Sequence, residues 1–161
     1  MDKKKVVFIV EDDPGFNMLM TNYLTGKNKW EVHSFESGEK CLEKLHLKPD
    51  IFLQDIDLPG INGVEVMKRV KQRLPEAEFI FLSAQTDIKV VVDAVQLGAF
   101  DYIVKDAYSK ENALNKIDQI VKIKHFQDIH NANRKSNTIL VILLATTLVA
   151  LALTWVFRLL S

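Results

Sequence analysis

PDIFLQDIDLPGINGVEV (residues 49–66) is the stretch that decides the fold. Its opening DIFLQ (50–54) is short, apolar and rich in β-branched or aromatic residues, as a buried strand is. The run stops at Asp55, with a second acid at Asp57, and VEVMKRVKQRL (64–74) then takes up helical periodicity. The same order recurs on either side. KVVFIV (5–10), WEVHSF (30–35), EFIFLS (78–83) and DYIVK (101–105) read as strands, while FNMLMTNYLTG (16–26), GEKCLEKLHLK (38–48) and DIKVVVDAVQLG (87–98) read as helices. Pro14 suits a first helical turn, Ser37 and Thr86 suit N-caps, and Gly26 and Gly98 suit helix ends. Five strands alternating with helices through short loops predict a parallel α/β sandwich over residues 1–108.

In such a sheet the site lies outside the carboxyl ends of the strands. The first strand ends in Glu11, Asp12 and Asp13, the third in Asp55-Ile56-Asp57, the fourth in Ser83-Ala84 and the fifth in Lys105. A strand-end acid on its own often does no more than cap the next helix. Together these ends bring a carboxylate cluster, a hydroxyl and an ammonium to one edge. Crowded carboxylates repel one another unless a cation neutralises them, and hard oxygen ligands with open positions suit Mg²⁺. A Mg²⁺, a Lys and a hydroxyl around one exposed carboxylate make a site for phosphoryl transfer to that carboxylate.

FIVEDDP (8–14), PDIFLQDIDLPGINGVEV (49–66), FIFLSAQ (79–85) and GAFDYIVK (98–105) closely resemble the motifs of CheY-like response-regulator receiver domains of two-component signalling. The resemblance covers about residues 4–125. It implies a doubly wound, flavodoxin-like α/β fold with a five-stranded parallel sheet of order 2-1-3-4-5 and names Asp55 as phosphoacceptor, supplied by a histidine kinase or a phosphotransfer protein. By the same resemblance Glu11 and Asp12 place Mg²⁺, with Asp55 and the backbone carbonyl of Asp57 completing the protein ligands. Ser83 matches the switch hydroxyl, Lys105 the phosphoryl-pairing ammonium, and Tyr102 the aromatic that turns inward on activation. Phosphorylation adds strong acceptors and nearly two negative charges, so Ser83 is drawn to the new oxygen and opens space beside the fifth strand. The surface of segment 87–98 and that strand is thereby biased. Such a protein accepts a phosphoryl group and is not a turnover enzyme.

Two departures from the family pattern stand out. Family members usually carry a cis Pro after the Lys, whereas Asp106 follows Lys105 here. A cis bond without Pro costs about 2.5–4 kcal/mol, so the sequence leaves open whether this peptide is cis, or trans with a differently shaped loop. Asp57 places an acid two residues past the acceptor, which is expected to alter dephosphorylation. Asp55-Ile56-Asp57 also fits the start of haloacid-dehalogenase-type phosphatases, although that fold puts the motif on its first strand. A degenerate receiver acting as a membrane scaffold is a further alternative.

The chain has 161 residues and 18.4 kDa, with 48% apolar and 26% charged residues, which excludes wholesale disorder. Basic and acidic residues balance at 21 each, so the basic surplus of a nucleic-acid-coating protein is missing and no direct nucleic-acid binding is expected. The balance is uneven along the chain: residues 1–108 carry 14 basic and 18 acidic side chains, and 109–136 carry 6 and 3. One cysteine, Cys41, excludes an internal disulfide and reads as an interior helix residue. His33, His46, His125 and His130 have no metal-ligand spacing beyond the last pair, five apart, and read as solvated side chains.

The other domain-level signal is ILVILLATTLVALALTWVF (139–157), 19 residues without charge, Gly or Pro. At about 1.5 Å per residue a helix of this length matches a bilayer's hydrocarbon core. Trp155 and Arg158 fall where interfacial anchors belong, and Thr146, Thr147 and Thr154 can return their hydroxyls to the helix backbone. Lys122, Lys124, Arg134 and Lys135 precede this run and only Arg158 follows. The positive-inside rule then keeps the receiver in the cytoplasm, and the organisation expected is receiver (1–125), juxtamembrane linker (126–137) and a transmembrane tail anchor (138–160) in the cytoplasmic membrane. No output module fits between receiver and anchor, so signalling is expected through an unknown downstream protein or a homodimer. Such a dimer could pair Asp101 with Lys116 between copies, or use the small-residue face Thr146, Ala150 and Thr154. Ser109 reads as the N-cap of the last helix, whose apolar positions begin at Leu114 and Ile117.

Overall fold

The computed structural model describes residues 4–84, 92 and 95–160, with side chains described through residue 147. Five strands, β1 (Val6–Val10), β2 (Glu31–Phe35), β3 (Ile51–Asp55), β4 (Glu78–Ser83) and β5 (Asp101–Val104), form one parallel sheet of order β2-β1-β3-β4-β5. Helices α1 (Pro14–Gly26), α2 (Gly38–Glu43) and α3 (Gly63–Arg73) connect them, and α4 (Ser109–Leu160) follows β5. GEKCLEKLHLK is therefore only half α-helical: α2 ends at Glu43, and Leu45–Leu47 form a 3-10 turn that leads to Lys48 at φ +54. Segment 87–98 lies mostly outside the described residues, as does the Thr86 cap; Val92, Val95 and Gln96 within it are helical.

Register follows from an aromatic ladder. Phe8, Phe52 and Phe79 occupy paired positions on β1, β3 and β4, with ring centroids 5.4 and 4.4 Å apart in succession. All three are fully buried, and side chains alternate faces along a strand. A slip of one residue would exchange this aromatic face for its opposite, so burial on both faces holds the register firmly. Val6, Val10 and Phe81 share the aromatic face, which packs on Cys41 of α2 and Val66, Met67 and Val70 of α3. The opposite face carries Val7, Ile9, Ile51, Leu53, Ile80 and Leu82, also buried. It is left for Met20 and Leu24 of α1 and for Ala113, Ile117 and Ile120 of α4, buried too.

The helix starts explain themselves chemically. Asp13 caps α1 by accepting the Phe16 N–H at 2.6 Å, with Pro14 in the first turn, and Ser37 caps α2 through the Lys40 N–H at 3.3 Å. Ser109 does not cap. It is the first residue of α4, whose opening turn bonds the Asn112 N–H to the Tyr108 carbonyl.

The chain forms two compact units, one ending at Ile120 and the other beginning at Val121. In the second, the polar segment 126–137 expected as a linker is helical, since no Gly or Pro interrupts residues 109–160. Ile139 to Leu144 are each more than half exposed, and the Thr146 and Thr147 hydroxyls donate to the Leu143 and Leu144 carbonyls at 2.8 Å. Among the described residues no helix is long and apolar enough to cross a membrane. The expected span 139–157 runs past residue 147, so the side chains of Ala150, Thr154, Trp155 and Arg158 lie outside the described residues.

Candidate functional site

The sheet register assembles the site. Val10 of β1 pairs with Gln54 of β3, so Glu11 emerges level with Asp55. Asp55 pairs with Leu82, so Ser83 stands one residue further along β4, and Ser83 pairs with Val104, one residue short of Lys105. Each side chain thus reaches the same edge. Asn17 of α1 fastens the strand ends by donating to the Glu11 and Phe35 carbonyls at 2.9 and 3.2 Å. Sequence reasoning missed Asn17, because an amide inside an amphipathic helix carries no local sign of what it bonds.

Glu11 and Asp55 are buried carboxylates, and the Lys105 ammonium joins them. Its Nζ lies 2.7 Å from Asp55 Oδ2 and 2.8 and 2.7 Å from Glu11 Oε1 and Oε2. The Lys105–Asp106 peptide is trans, and the ammonium nonetheless reaches both acids. Asp55 Oδ1 accepts the Asp57 N–H at 3.1 Å. Burial pushes the Glu11 carboxyl up to about 7, the Asp55 charge adds to this, and hydrogen bonding to Lys105 opposes it. Burial alone would depress Lys105, but hydrogen bonds to Asp55 and Glu11, with their charges, hold it above its usual value.

One carboxylate oxygen each from Glu11, Asp12 and Asp55 come within 4.8 Å of one another. Glu11 Oε2 is buried without an aligned hydrogen bond, although the Lys105 ammonium is within ion-pairing distance. An acceptor left in that state has a lone pair to offer a cation, and an all-oxygen donor set of this kind fits Mg²⁺. Asp57 is exposed and its side chain is not part of this cluster. Ser83 is fully buried at the end of β4, and its carbonyl accepts the Lys105 N–H at 2.8 Å. Tyr102 is half-buried and packs on the aromatic face of the core. A cleft of about 720 Å³, lined by Glu11, Asp12, Asn17, Met18, Phe35 and Pro59 among others, opens beside the acids.

Close packing fixes the loop after Asp55. Gly63 begins α3 and donates to the Ile56 carbonyl at 3.0 Å, and a Cβ there would lie 2.2 Å from the Asp55 carbonyl oxygen. Gly60 has φ +82, and the neighbouring Ile61 N–H donates to Glu39 Oε1 at 3.0 Å, which holds that carboxyl below its usual range. The expected pairing of Asp101 with Lys116 between copies is corrected: within one chain these residues form an ion pair at 2.5 Å, because the start of α4 lies beside β5.

Residues 7–118 match the family model described as response regulator receiver domain. The chain belongs to the response regulator receiver family. Among curated relatives, the chemotaxis protein CheY of Thermotoga maritima is 32% identical over 118 residues, covering 71% of this chain and 98% of that protein. The DNA-binding transcriptional regulator NtrC of Klebsiella pneumoniae is 35% identical over 127 residues, 78% of this chain and 26% of NtrC. The chain thus spans about a quarter of that regulator's length. Two solved structures agree on the architecture. A CheY-like receiver from Methanospirillum hungatei superposes with a TM-score of 0.71 at 22% identity, over 78% of this chain and 99% of that one. The Thermotoga maritima response regulator TrrA, solved in complex with Mg²⁺ and BeF, gives 0.62 at 26% identity, over 72% and 98%. The sheet order 2-1-3-4-5 is that of the flavodoxin-like fold. With Asp55 closing the third strand rather than the first, the phosphatase reading loses its structural context.

Proposed function

We propose that this receiver accepts a phosphoryl group on Asp55, and the observation that carries the reading is the Lys105 bridge. A half-buried ammonium 2.7 Å from the acceptor carboxylate neutralises charge where a phosphoryl group's oxygens arrive. A carboxylate oxygen of Asp55 attacks phosphorus, and the donor's P–N bond breaks. Its electron pair returns to the imidazole nitrogen of a phosphohistidine, on a histidine kinase or phosphotransfer protein, and that ring then holds its own proton. Asp55 becomes an acyl phosphate. Lys105 shifts its pairing from carboxylate to phosphoryl oxygen, and Ser83 donates its hydroxyl proton to another. Glu11, Asp12, Asp55 and the Asp57 carbonyl would hold Mg²⁺, which would supply positive charge to offset that of the phosphoryl oxygens. Withdrawal of Ser83 frees room beside β5 for the Tyr102 ring, which passes the change to the outer surface.

The second half of the proposal is location: the chain is tethered by 138–160 to the inner face of the cytoplasmic membrane. Six consecutive apolar residues, Ile139 to Leu144, are each more than half exposed on one helix and so cover its whole circumference. Lipid satisfies such a surface, and the Thr146 and Thr147 hydroxyls already bond within the helix. Incubation with acetyl phosphate and Mg²⁺, read by intact mass spectrometry, should add one phosphoryl group to the wild type and none to Asp55→Asn; no addition refutes phosphoacceptance. Alkaline carbonate extraction of membranes should leave the chain in the pellet; release into the supernatant refutes the tether.

A further inference from the structure

The loop between β5 and α4 is closed by one buried hydroxyl. Ser109 is 1% exposed, and its Oγ accepts the Asp106 N–H at 2.6 Å. The hydroxyl's single proton has the Asp106 carbonyl at 2.8 Å, the Val104 carbonyl at 3.1 Å and Asp106 Oδ1 at 3.2 Å within reach. Asp106 adds a second tie, its Oδ1 accepting the Tyr108 N–H at 2.8 Å. Lys105 sits between Val104 and Asp106, the two residues this hydroxyl binds. Its own N–H is fixed to the Ser83 carbonyl, and its side chain runs past the Phe16 ring at 5.1 Å to Glu11 and Asp55.

We infer that the Ser109 hydroxyl is the positioning group for Lys105, doing through hydrogen bonds on a trans peptide what a proline after the lysine does in most of the family. Its importance for phosphoryl transfer rests on the Lys105 role proposed above, but its effect on Lys105 itself does not. A buried hydroxyl with one donor and three acceptors around it holds its neighbours, because a loop that opened would leave that hydroxyl buried and unpaired. Removing it takes away the bonds that close the loop and frees Lys105 to leave the acids for solvent.

The test uses the full chain, metal-free, in a short pulse of reductive methylation read by mass spectrometry, with the exposed Lys44 and Lys68 as internal references. Ser109→Ala should raise Lys105 methylation about fivefold, the change expected for losing one hydrogen bond, and leave the references unchanged. A companion double-mutant cycle measures phosphorylation by acetyl phosphate with Mg²⁺. Ser109→Ala should slow the reaction in the wild type and have no further effect on Lys105→Met, since the two substitutions act through one ammonium. Lys105 methylation at the wild-type rate, or an equal slowing in both backgrounds, would overturn the inference. If Ser109→Ala does not fold, Asp106→Ala removes the second tie on an exposed side chain and should raise Lys105 methylation in the same sense; no rise overturns the inference equally. Should the wild type take no phosphoryl group while Lys105 methylation still rises, the functional reading fails and the positioning role stands.

Discussion

Gly63→Ala tests how tightly the acceptor is held. The new Cβ would lie 2.2 Å from the Asp55 carbonyl oxygen, 3.0 Å from Gln54 Cγ and 3.1 Å from the Asp55 carbonyl carbon. An ordinary carbon-to-oxygen approach is about 3.3 Å, so close to 1 Å has to open between the first turn of α3 and the end of β3. The helix has little freedom to retreat, because Val66, Met67 and Val70 pin it to the aromatic face of the sheet. Asp55 therefore moves, and the bond from Gln54 Nε2 to its carbonyl, 2.9 Å now, is disturbed as well. Overpacking of this kind costs about 1–3 kcal/mol. The better helix propensity of Ala returns about 1 kcal/mol, leaving a net loss of up to about 2 kcal/mol. Equilibrium urea unfolding, followed by the fluorescence of buried Trp30 in a Trp155→Phe background, reads the loss directly. A displaced acceptor also loses its line of attack, and a misplacement of about 1 Å can cost about a hundredfold in rate. Acetyl phosphate labelling should fall accordingly. A variant with the wild-type urea midpoint, phosphorylated within twofold of the wild-type rate, would refute the claim that α3 packing sets the position of Asp55.

Three further predictions follow from the same geometry. Lys105→Met removes a cation that competes for Glu11 and Asp55, so Mg²⁺ should bind more tightly by titration calorimetry while phosphorylation slows; weaker Mg²⁺ binding would contradict the bridge. Cys41 is buried and its thiol is pushed up to about 12 from 9.0, chiefly by burial. A folded-state value above the unfolded one contributes stability that is complete below pH 9 and is lost as pH rises toward 12, so alkaline unfolding should be steeper in wild type than in Cys41→Ala. Matching pH profiles for the two would count against it. Asp57→Asn removes an exposed charge beside the acceptor; an exposed pairing is worth about 0.2–1 kcal/mol, so hydrolysis of the acyl phosphate should quicken by at most about fivefold. Equal lifetimes would show that the Asp57 charge does not shield the acyl phosphate.

Much of this site was legible because a parallel α/β sheet gathers strand ends by rule. Glu11, Asp55, Ser83 and Lys105 each close a run of apolar residues, and that termination is written in the local sequence. What the sequence does not hold is the offset between strands. The pairing of Val10 with Gln54, and of Asp55 with Leu82, depends on Phe8, Phe52 and Phe79 packing together across three strands far apart in the chain. Asp101 and Lys116 show the limit from the other side. Their charges suggest a pair, but whether the pair closes within a chain or between copies depends on where the first turns of α4 lie, which no local pattern encodes.

Ser109 is the most instructive miss. A serine ahead of an amphipathic run is the usual sign of an N-cap, and the pattern is identical whether the hydroxyl turns forward to the helix or back to the preceding loop. Two features decide the direction here: Asp106, where a proline would have offered no N–H to bind, and the Tyr108 carbonyl, which takes the first bond of α4. The missing proline therefore had a structural answer three residues downstream. The reach of Lys105 depends less on the isomer of its following peptide than on β5 being held in register with β4, since the Lys105 N–H bonds the Ser83 carbonyl before the side chain begins. With that backbone bond made, the Ser109 hydroxyl closes the loop on a trans peptide and holds the ammonium on the same two acids. A proline is thus one solution, and a buried hydroxyl another, to the part of the positioning problem that the sheet leaves open.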